Sequence, residues 1–159
     1  MRRVVILGPG AAGKSTLARR LGAVTGLAVI ELDKEFWRPG LVATPVDDWA
    51  ALQRELTARP GWIMDGDLGP YDVLGARLEA ADTVVILDVP RWRCVWRAIR
   101  RSRERVDFWR WLWRWRRDFR PLMYRAIEQH APGVDLRIIR TAADADRFLS
   151  DAAAPSARE

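Results

Sequence analysis

Residues 4–21 read VVILGPGAAGKSTLARRL. A fully apolar tetrapeptide, Val4–Leu7, runs into three glycines, a lysine and two hydroxyls, and then into an amphipathic helical pattern. Packing alone does not ask for that order; a loop that holds a polyphosphate does. Gly8-x-x-x-x-Gly13-Lys14-Ser15 has the phosphate-loop spacing, and it sits between a strand and a helix, which is the context the motif requires. Glycines let successive backbone N–H groups turn inward around the β- and γ-phosphates. The helix start adds a partial positive charge beneath them. Lys14 places a compact ammonium on the phosphate being transferred, and Ser15 offers a hydroxyl to Mg²⁺. The stretch Gly8, Pro9, Gly10, Ala11, Ala12, Gly13, Lys14, Ser15 and Thr16 is therefore expected to hold ATP. Thr16 either extends the hydrogen bonding of the loop or only caps the helix.

Outward from this loop the pattern alternates. Short apolar runs at RRVVILG, LAVIEL, WIMD, DTVVILDVP and VDLRIIRT read as five strands. Between them lie helical patterns at Ser15–Gly26 (Leu17, Leu21 and Val24 on one face), from Asp47 or Asp48 as a cap to Arg59, at Tyr71–Ala81, at Arg91–Arg103, and at Phe108–Gln129, which Pro121 kinks or divides. Ala143–Ala153 closes the chain as a helix, and residues 34–46 read as irregular. Strands separated by helices pair in parallel through right-handed crossovers. The fold class is therefore α/β, a three-layer sandwich around a five-stranded parallel sheet. One domain is expected over 1–152, with a frayed tail at 153–159. In such sheets ligands sit beyond the carboxyl ends of the strands, which puts Gly8, Asp33, Asp65 and Asp88 along one edge.

Three carboxylates, Asp33, Asp65 and Asp67, invite assignment. Asp65 ends the apolar run WIMD beside the phosphate-loop strand, where it holds Mg²⁺ directly or through water, or else only starts the Asp-Gly turn. Asp67 follows it, with a less defined place near the acceptor. Asp33 closes the second strand and can take a proton from an acceptor hydroxyl or orient the acceptor. Next to it, Phe36 and Trp37 are either a wall for a flat substrate or core residues, and Arg38 either pairs with an acceptor phosphate or faces solvent. Asp88 reads as structural.

The chain has 159 residues, a net charge of +6, 30% charged residues and 49% hydrophobic ones, a composition of a water-soluble globular domain. The charge is uneven: residues 91–130 hold 13 basic and 4 acidic side chains, whereas residues 1–90 hold 10 and 12. Arginines brought over phosphates neutralise the charge spread over the transition state. Arg97 and Arg101, four apart, project together and suit that role on the arm of a lid at about 101–108. Phe108, Trp111 or Leu112, Trp115 and Phe119 repeat at helical spacing, which favours a stripe packed on the sheet, with Trp109 and Trp113 off it. Interleaved Arg and Trp also suit single-stranded nucleic acid, so a P-loop ATPase that associates with nucleic acid through 91–125 is the alternative reading. His130 reads as a cap or surface residue. With Cys94 alone, no internal disulfide forms. The four-residue apolar run before Gly8 is too short for a signal-peptide core or a membrane span. A cytoplasmic protein is expected, with no membrane partner and a monomer as the default.

The motifs GPGAAGKSTLARRL, LDKEFWRPG, WIMDGD, ADTVVILDVPRWRCVWRAIRR and FWRWLWRWRRDFRP, taken in this order, resemble the small P-loop kinases of the adenylate kinase type, and among them the bacterial topology modulation proteins. The resemblance spans roughly residues 3–150. It implies a sheet order of 2-3-1-4-5, ATP at Gly8 to Thr16, Asp65-Gly66 near Mg²⁺, and Arg97 and Arg101 as lid-hinge arginines that touch ATP. It also sets Arg114 and Arg117 beside the arginines that follow the lid, and makes about 33–62 the acceptor-binding region. The lid is far shorter here than in long-lid relatives, and Asp67 stands where relatives often carry Asn. These departures bear on the acceptor more than on the donor.

Overall fold

The computed structural model describes residues 1–40, 42–66, 73–101 and 106–154, the side chains of Arg101, Val106, Asp107 and Trp111 excepted. Asp67 and most of the expected lid lie outside the described residues. The sheet strands are β1 (Arg3–Leu7), β2 (Val29–Glu31), β5 (Trp62–Asp65), β6 (Thr83–Leu87) and β7 (Asp135–Ile139). All pair in parallel, in the order β2-β5-β1-β6-β7. Counted over these five strands alone, this is the order 2-3-1-4-5.

The central strands read as unbroken apolar runs because both sheet faces are covered. Side chains alternate across a strand, and β1 divides accordingly. Val5 and Leu7 face one core with Trp49, Trp62, Leu78, Trp115 and Ile127. Val4 and Ile6 face the other with Leu17, Leu21, Cys94, Leu112 and Phe148. The helices α3 (Val46–Thr57), α4 (Gly75–Ala80) and α7 (Arg120–His130) cover the first face. Helices α1 (Lys14–Thr25), α5 (Arg91–Arg101), α6 (Val106–Arg114) and α8 (Ala142–Ala153) cover the second.

Leu112 belongs to one core and Trp115, three residues on, to the other. The chain changes faces there through a π-helical turn, Trp115–Phe119, which joins α6 to α7. Pro121 stands in the first turn of α7, directly after the π turn, and the helical stretch divides at that turn. The aromatic stripe is packed, but not on one face as its spacing predicts: Leu112 is buried in one core with Phe108 against it, and Trp115 is buried in the other with Phe119 against it, because the π turn shifts the phase between them. Trp109 also leans on the second core, while Trp113 is exposed.

Some boundaries move. Residues 34–46 are only partly irregular among the described residues. A short helix α2 (Leu32–Phe36) leads into a two-stranded hairpin, β3 (Trp37–Arg38) and β4 (Val42–Ala43), in which Gly40 adopts φ +80°. Helix α3 is not capped by Asp47 or Asp48. Pro45 is its N-cap, and both aspartates fall in the first turn, where the helix dipole favours negative charge. Val24 is exposed rather than buried with Leu17 and Leu21. His130 ends α7 and pairs with Glu79 at 2.8 Å. Among the described residues no helix is long and apolar enough to cross a membrane.

Candidate active site

Strand β1 delivers the chain to the loop at its carboxyl end, and the loop's backbone explains its glycines. Gly8 has φ +145°, and a Cβ there would stand 2.8 Å from the Leu87 carbonyl of the neighbouring strand. Only glycine lets the loop pass so close to β6. Gly13, at φ +103°, is the N-cap of α1, so Thr16 is not the cap. Ala11 also adopts positive φ, at 56°. The amide of Ala12 turns back to the Pro9 carbonyl, and the first intrahelical bond runs from the Leu17 amide to the Gly13 carbonyl. The amides of Lys14, Ser15 and Thr16 precede that bond and point out of the helix start. The Lys14 ammonium folds over the loop, donating to the carbonyls of Gly8 at 2.9 Å and Pro9 at 3.2 Å.

A second cation closes on the same backbone. The Arg97 guanidinium, reaching across from α5, donates to the Ala12 carbonyl at 2.7 Å. It lies 3.1 Å from the place a Gly13 Cβ would occupy, so this glycine is also needed to admit the arginine. Arg101 is the last residue of α5, and its side chain lies outside the described residues.

Below the loop, Asp65 ends β5 and is buried. Burial pushes its carboxyl above the usual range. The hydrogen bond from the Ser15 hydroxyl and the charge of Lys14 pull it back, while Glu31 adds to the rise. Among the described residues its Oδ1, buried, has no hydrogen-bond partner. A buried carboxylate oxygen without a partner is costly unless a proton or a cation meets it. Together with the Ser15 hydroxyl it offers hard oxygen donors, the kind Mg²⁺ takes. Glu31, paired across the sheet with Asp65, is a carboxylate that the sequence reading passed over.

The residues expected at the acceptor are less gathered. Glu31, not Asp33, closes β2; Asp33 lies in the first turn of α2 and is exposed. Phe36 is a core residue, set edge-on to Trp37 at 4.9 Å and to Trp49 at 5.2 Å. Only Trp37 keeps an exposed aromatic surface. Arg38 pairs with Asp48 at 2.9 Å and ties the hairpin to α3.

Two groups escaped sequence reasoning. Arg77 is fully buried in α4, donating to the Gln53 side-chain oxygen at 2.9 Å and the Gly66 carbonyl at 3.2 Å. It braces the turn that follows Asp65. Its position among Val73, Leu74 and Leu78, on the apolar face of the helix, was the available signal. The other group centres on Asp88, which receives Arg116 at 3.0 Å and Arg120 at 3.1 Å, with Arg140 at 3.9 Å. Arg114 and Arg117, which the resemblance aligned with the arginines after the lid, instead share Asp118 on the surface. The pair that turns toward the sheet edge is Arg116 and Arg120. Lys14, Arg97 and Arg116 all lie near enough to act electrostatically on the buried Cys94 thiol, so these cations converge on one region.

Similar architecture recurs among known structures. A gluconokinase from Sinorhizobium meliloti 1021 superposes with a TM-score of 0.59 at 18% identity, over 96% of this chain and 90% of that one. A sugar kinase from Janibacter sp. HTCC2649 in its unliganded form gives 0.58 at 20%, over 96% and 92%. Shikimate kinase from Acinetobacter baumannii in complex with shikimate gives 0.62 at 19%, over 95% and 90%. At this identity the likeness establishes the fold alone, an α/β sandwich around a parallel sheet. No protein-family model and no curated protein sequence matches the chain.

Proposed function

We propose that the chain is a kinase that transfers the terminal phosphoryl group of ATP to a small molecule bearing a hydroxyl or a phosphate. The observation that carries this reading is the convergence on one loop of Lys14, Arg97 and the Asp65–Ser15 pair, two cations above and an under-satisfied carboxylate below. The loop amides and Lys14 hold the β- and γ-phosphates. Arg97, joined by Arg101, neutralises charge that grows on the transferring group. Ser15 and Asp65 are the residues that would hold Mg²⁺, which would supply positive charge to offset that of the phosphates. At the acceptor, a bond forms from its oxygen to the γ-phosphorus as the bond to the β–γ bridging oxygen breaks. Asp33 takes the hydroxyl proton or orients the acceptor, and Trp37, Arg38 and Asp67 line its side.

The three structural neighbours are by name a gluconokinase, a sugar kinase and a shikimate kinase, which supports a small hydroxylated acceptor. The adenylate kinase-type resemblance supports a nucleoside monophosphate instead. A monomer in the cytoplasm belongs to the same reading. The deciding experiment incubates the protein with γ-labelled ATP, Mg²⁺ and a panel of gluconate, hexoses, shikimate and nucleoside monophosphates. Label should appear on one acceptor, and Lys14→Ala should lower that transfer by about a hundredfold or more, the scale set by losing a transition-state charge contact. Wild-type transfer by the Lys14→Ala protein, or phosphate release with no labelled acceptor, would sink the kinase reading.

A further inference from the structure

Helix α5 has two edges with opposite character. Its inner edge buries Cys94 and Ala98 and sends Arg97 to the phosphate loop. Its outer edge carries Trp92, Trp96 and Ile99, spaced by four and three residues and therefore on one face. These side chains are 66%, 56% and 60% exposed. Trp113 of α6, 64% exposed, extends the patch sideways, because Arg91 of α5 stacks over its ring at 4.7 Å. Arg93 lies over Trp92 at 5.2 Å, and Arg100 over Trp96 at 4.6 Å. Three exposed indoles are thus each faced by a guanidinium. Scattered surface hydrophobics need no explanation, but a contiguous group of this size does. The periodicity that buries Leu112 and Trp115 does not account for it.

We infer that this face binds single-stranded nucleic acid, the bases stacking on the indoles and the phosphates meeting the arginines. The chemistry is complementary in both parts. Exposed rings give platforms that accept any unpaired base, and guanidiniums beside them track a polyanion. The segment is also where the positive charge of the chain resides, with 13 basic against 4 acidic residues over 91–130. A membrane surface suits the patch less well. Sinking the rings among acyl chains would strip water from the three guanidiniums that face them, and Ile99 is the one aliphatic side chain among these four. A second copy of the chain would bring like charge against like charge. A paired duplex hides the base faces that the indoles would stack upon.

The test uses the full chain, an unlabelled 20-residue oligo(dT), the corresponding duplex, and vesicles of phosphatidylcholine and phosphatidylserine. Oligo(dT) should quench tryptophan fluorescence and bind more tightly than the duplex. Its affinity should fall by on the order of fiftyfold between 50 and 200 mM salt if about four phosphates are contacted. Trp92→Ala with Trp96→Ala should weaken binding at least ~10-fold, as loss of one or two stacked bases does. Trp113→Ala, on a different helix, should weaken it independently. Both variants remove exposed side chains and should leave ATP binding unchanged. Equal affinity for duplex and single strand, undiminished binding by both tryptophan variants, preference for the vesicles, or tryptophan-dependent self-association in place of oligonucleotide binding would each overturn the inference.

Discussion

Asp65 and Asp88 stand at the carboxyl ends of the two strands that flank β1, and both are buried, yet their surroundings could hardly differ more. Asp88 sits among three arginines drawn from the π turn, α7 and the end of β7. Its charge is over-compensated, and it anchors the segment that crosses the sheet edge. Asp65 has one hydroxyl and a nearby ammonium, a second carboxylate beside it, and an oxygen with no hydrogen-bond partner among the described residues. A carboxylate that is fully answered by the protein holds structure together. One left partly unanswered, beside a phosphate loop, is poised for a cation. The two positions look alike in sequence, each an aspartate closing an apolar run, so environment and not residue type assigns their roles.

The largest effect that tests this contrast is on catalysis. Asp65→Asn should reduce phosphoryl transfer about a hundredfold or more, as removal of a charge contact at the reacting phosphates does. It should not lower stability, because the neutral amide escapes the desolvation that burdens the carboxylate. Thermal melts with and without Mg²⁺ and ATP add a second readout. The wild type should gain stability from the pair by mass action, and the variant should gain much less. A variant that melts several degrees lower in the absence of ligand would put Asp65 with Asp88, as a structural residue.

The next largest effect is on folding. Asp88→Asn leaves its arginines without their shared anion. Breaking a fully buried pair costs 3–5 kcal/mol, but these guanidiniums are partly in water, which reduces the loss to about 2 kcal/mol. Denaturant titration measures it. Transfer should fall less than in Asp65→Asn, since Arg116 and Arg120 keep their charge and lose only their anchor. An equal fall in both variants with stability unchanged would erase the distinction.

How far the sequence reveals these roles depends on what each requires. The phosphate loop is legible because every backbone demand has a residue answer. Gly8 must clear the Leu87 carbonyl, and Gly13 must turn left-handed and admit Arg97. The strands are legible because burial on both faces makes them continuous apolar runs. The arginines between α6 and α7 are not legible in this way. Positions 114, 116, 117 and 120 are all arginine, and which of them face the sheet is set by the π turn, whose i→i+5 bonding shifts the helical phase. No spacing rule anticipates that turn. The residues expected at the acceptor present the opposite problem. Phe36, Trp37 and Arg38 are chemically suggestive together, but Phe36 is taken by the core and Arg38 by Asp48, and those partners lie elsewhere in the chain.

A difference in pH response sharpens the contrast further. The folded-state pKa of Asp65 is raised by burial above its unfolded value, so the native state holds the proton more tightly than the unfolded chain. Its contribution is therefore most favourable below the unfolded value and is lost as pH rises through the folded one. Above that point the buried charge is a constant burden, unless a cation answers it. The stability gained by Asp65→Asn over wild type should be largest near neutrality and should shrink as the solution is acidified. Added Mg²⁺ and ATP should narrow the gap at neutral pH. Melting curves across pH, with each protein in the same buffers, measure both trends; a gap that widens on acidification would contradict the placement of Asp65.

The smallest expected effect lies at the far end of the Asp88 cluster. Arg140 reaches Asp88 from the last turn before α8, and its own amide donates to Asp144 at 3.1 Å. That aspartate forms a capping box with Thr141: the Thr141 hydroxyl accepts from the Asp144 amide, and the Asp144 carboxylate accepts from the Thr141 amide. Thr141→Ala removes one half of the box and should cost about 1 kcal/mol. Because the cap orients Arg140 only indirectly, and Arg140 is the most distant of the three cations around Asp88, transfer to the acceptor should remain within about twofold of wild type, since a cap acts on folding and not on the barrier. In a double variant with Asp88→Asn, the two losses should fall short of adding if Arg140 links the sites. Strict additivity in denaturant titrations would show that the box stabilises α8 alone, and the Asp88 cluster would then consist of Arg116 and Arg120 in energetic terms.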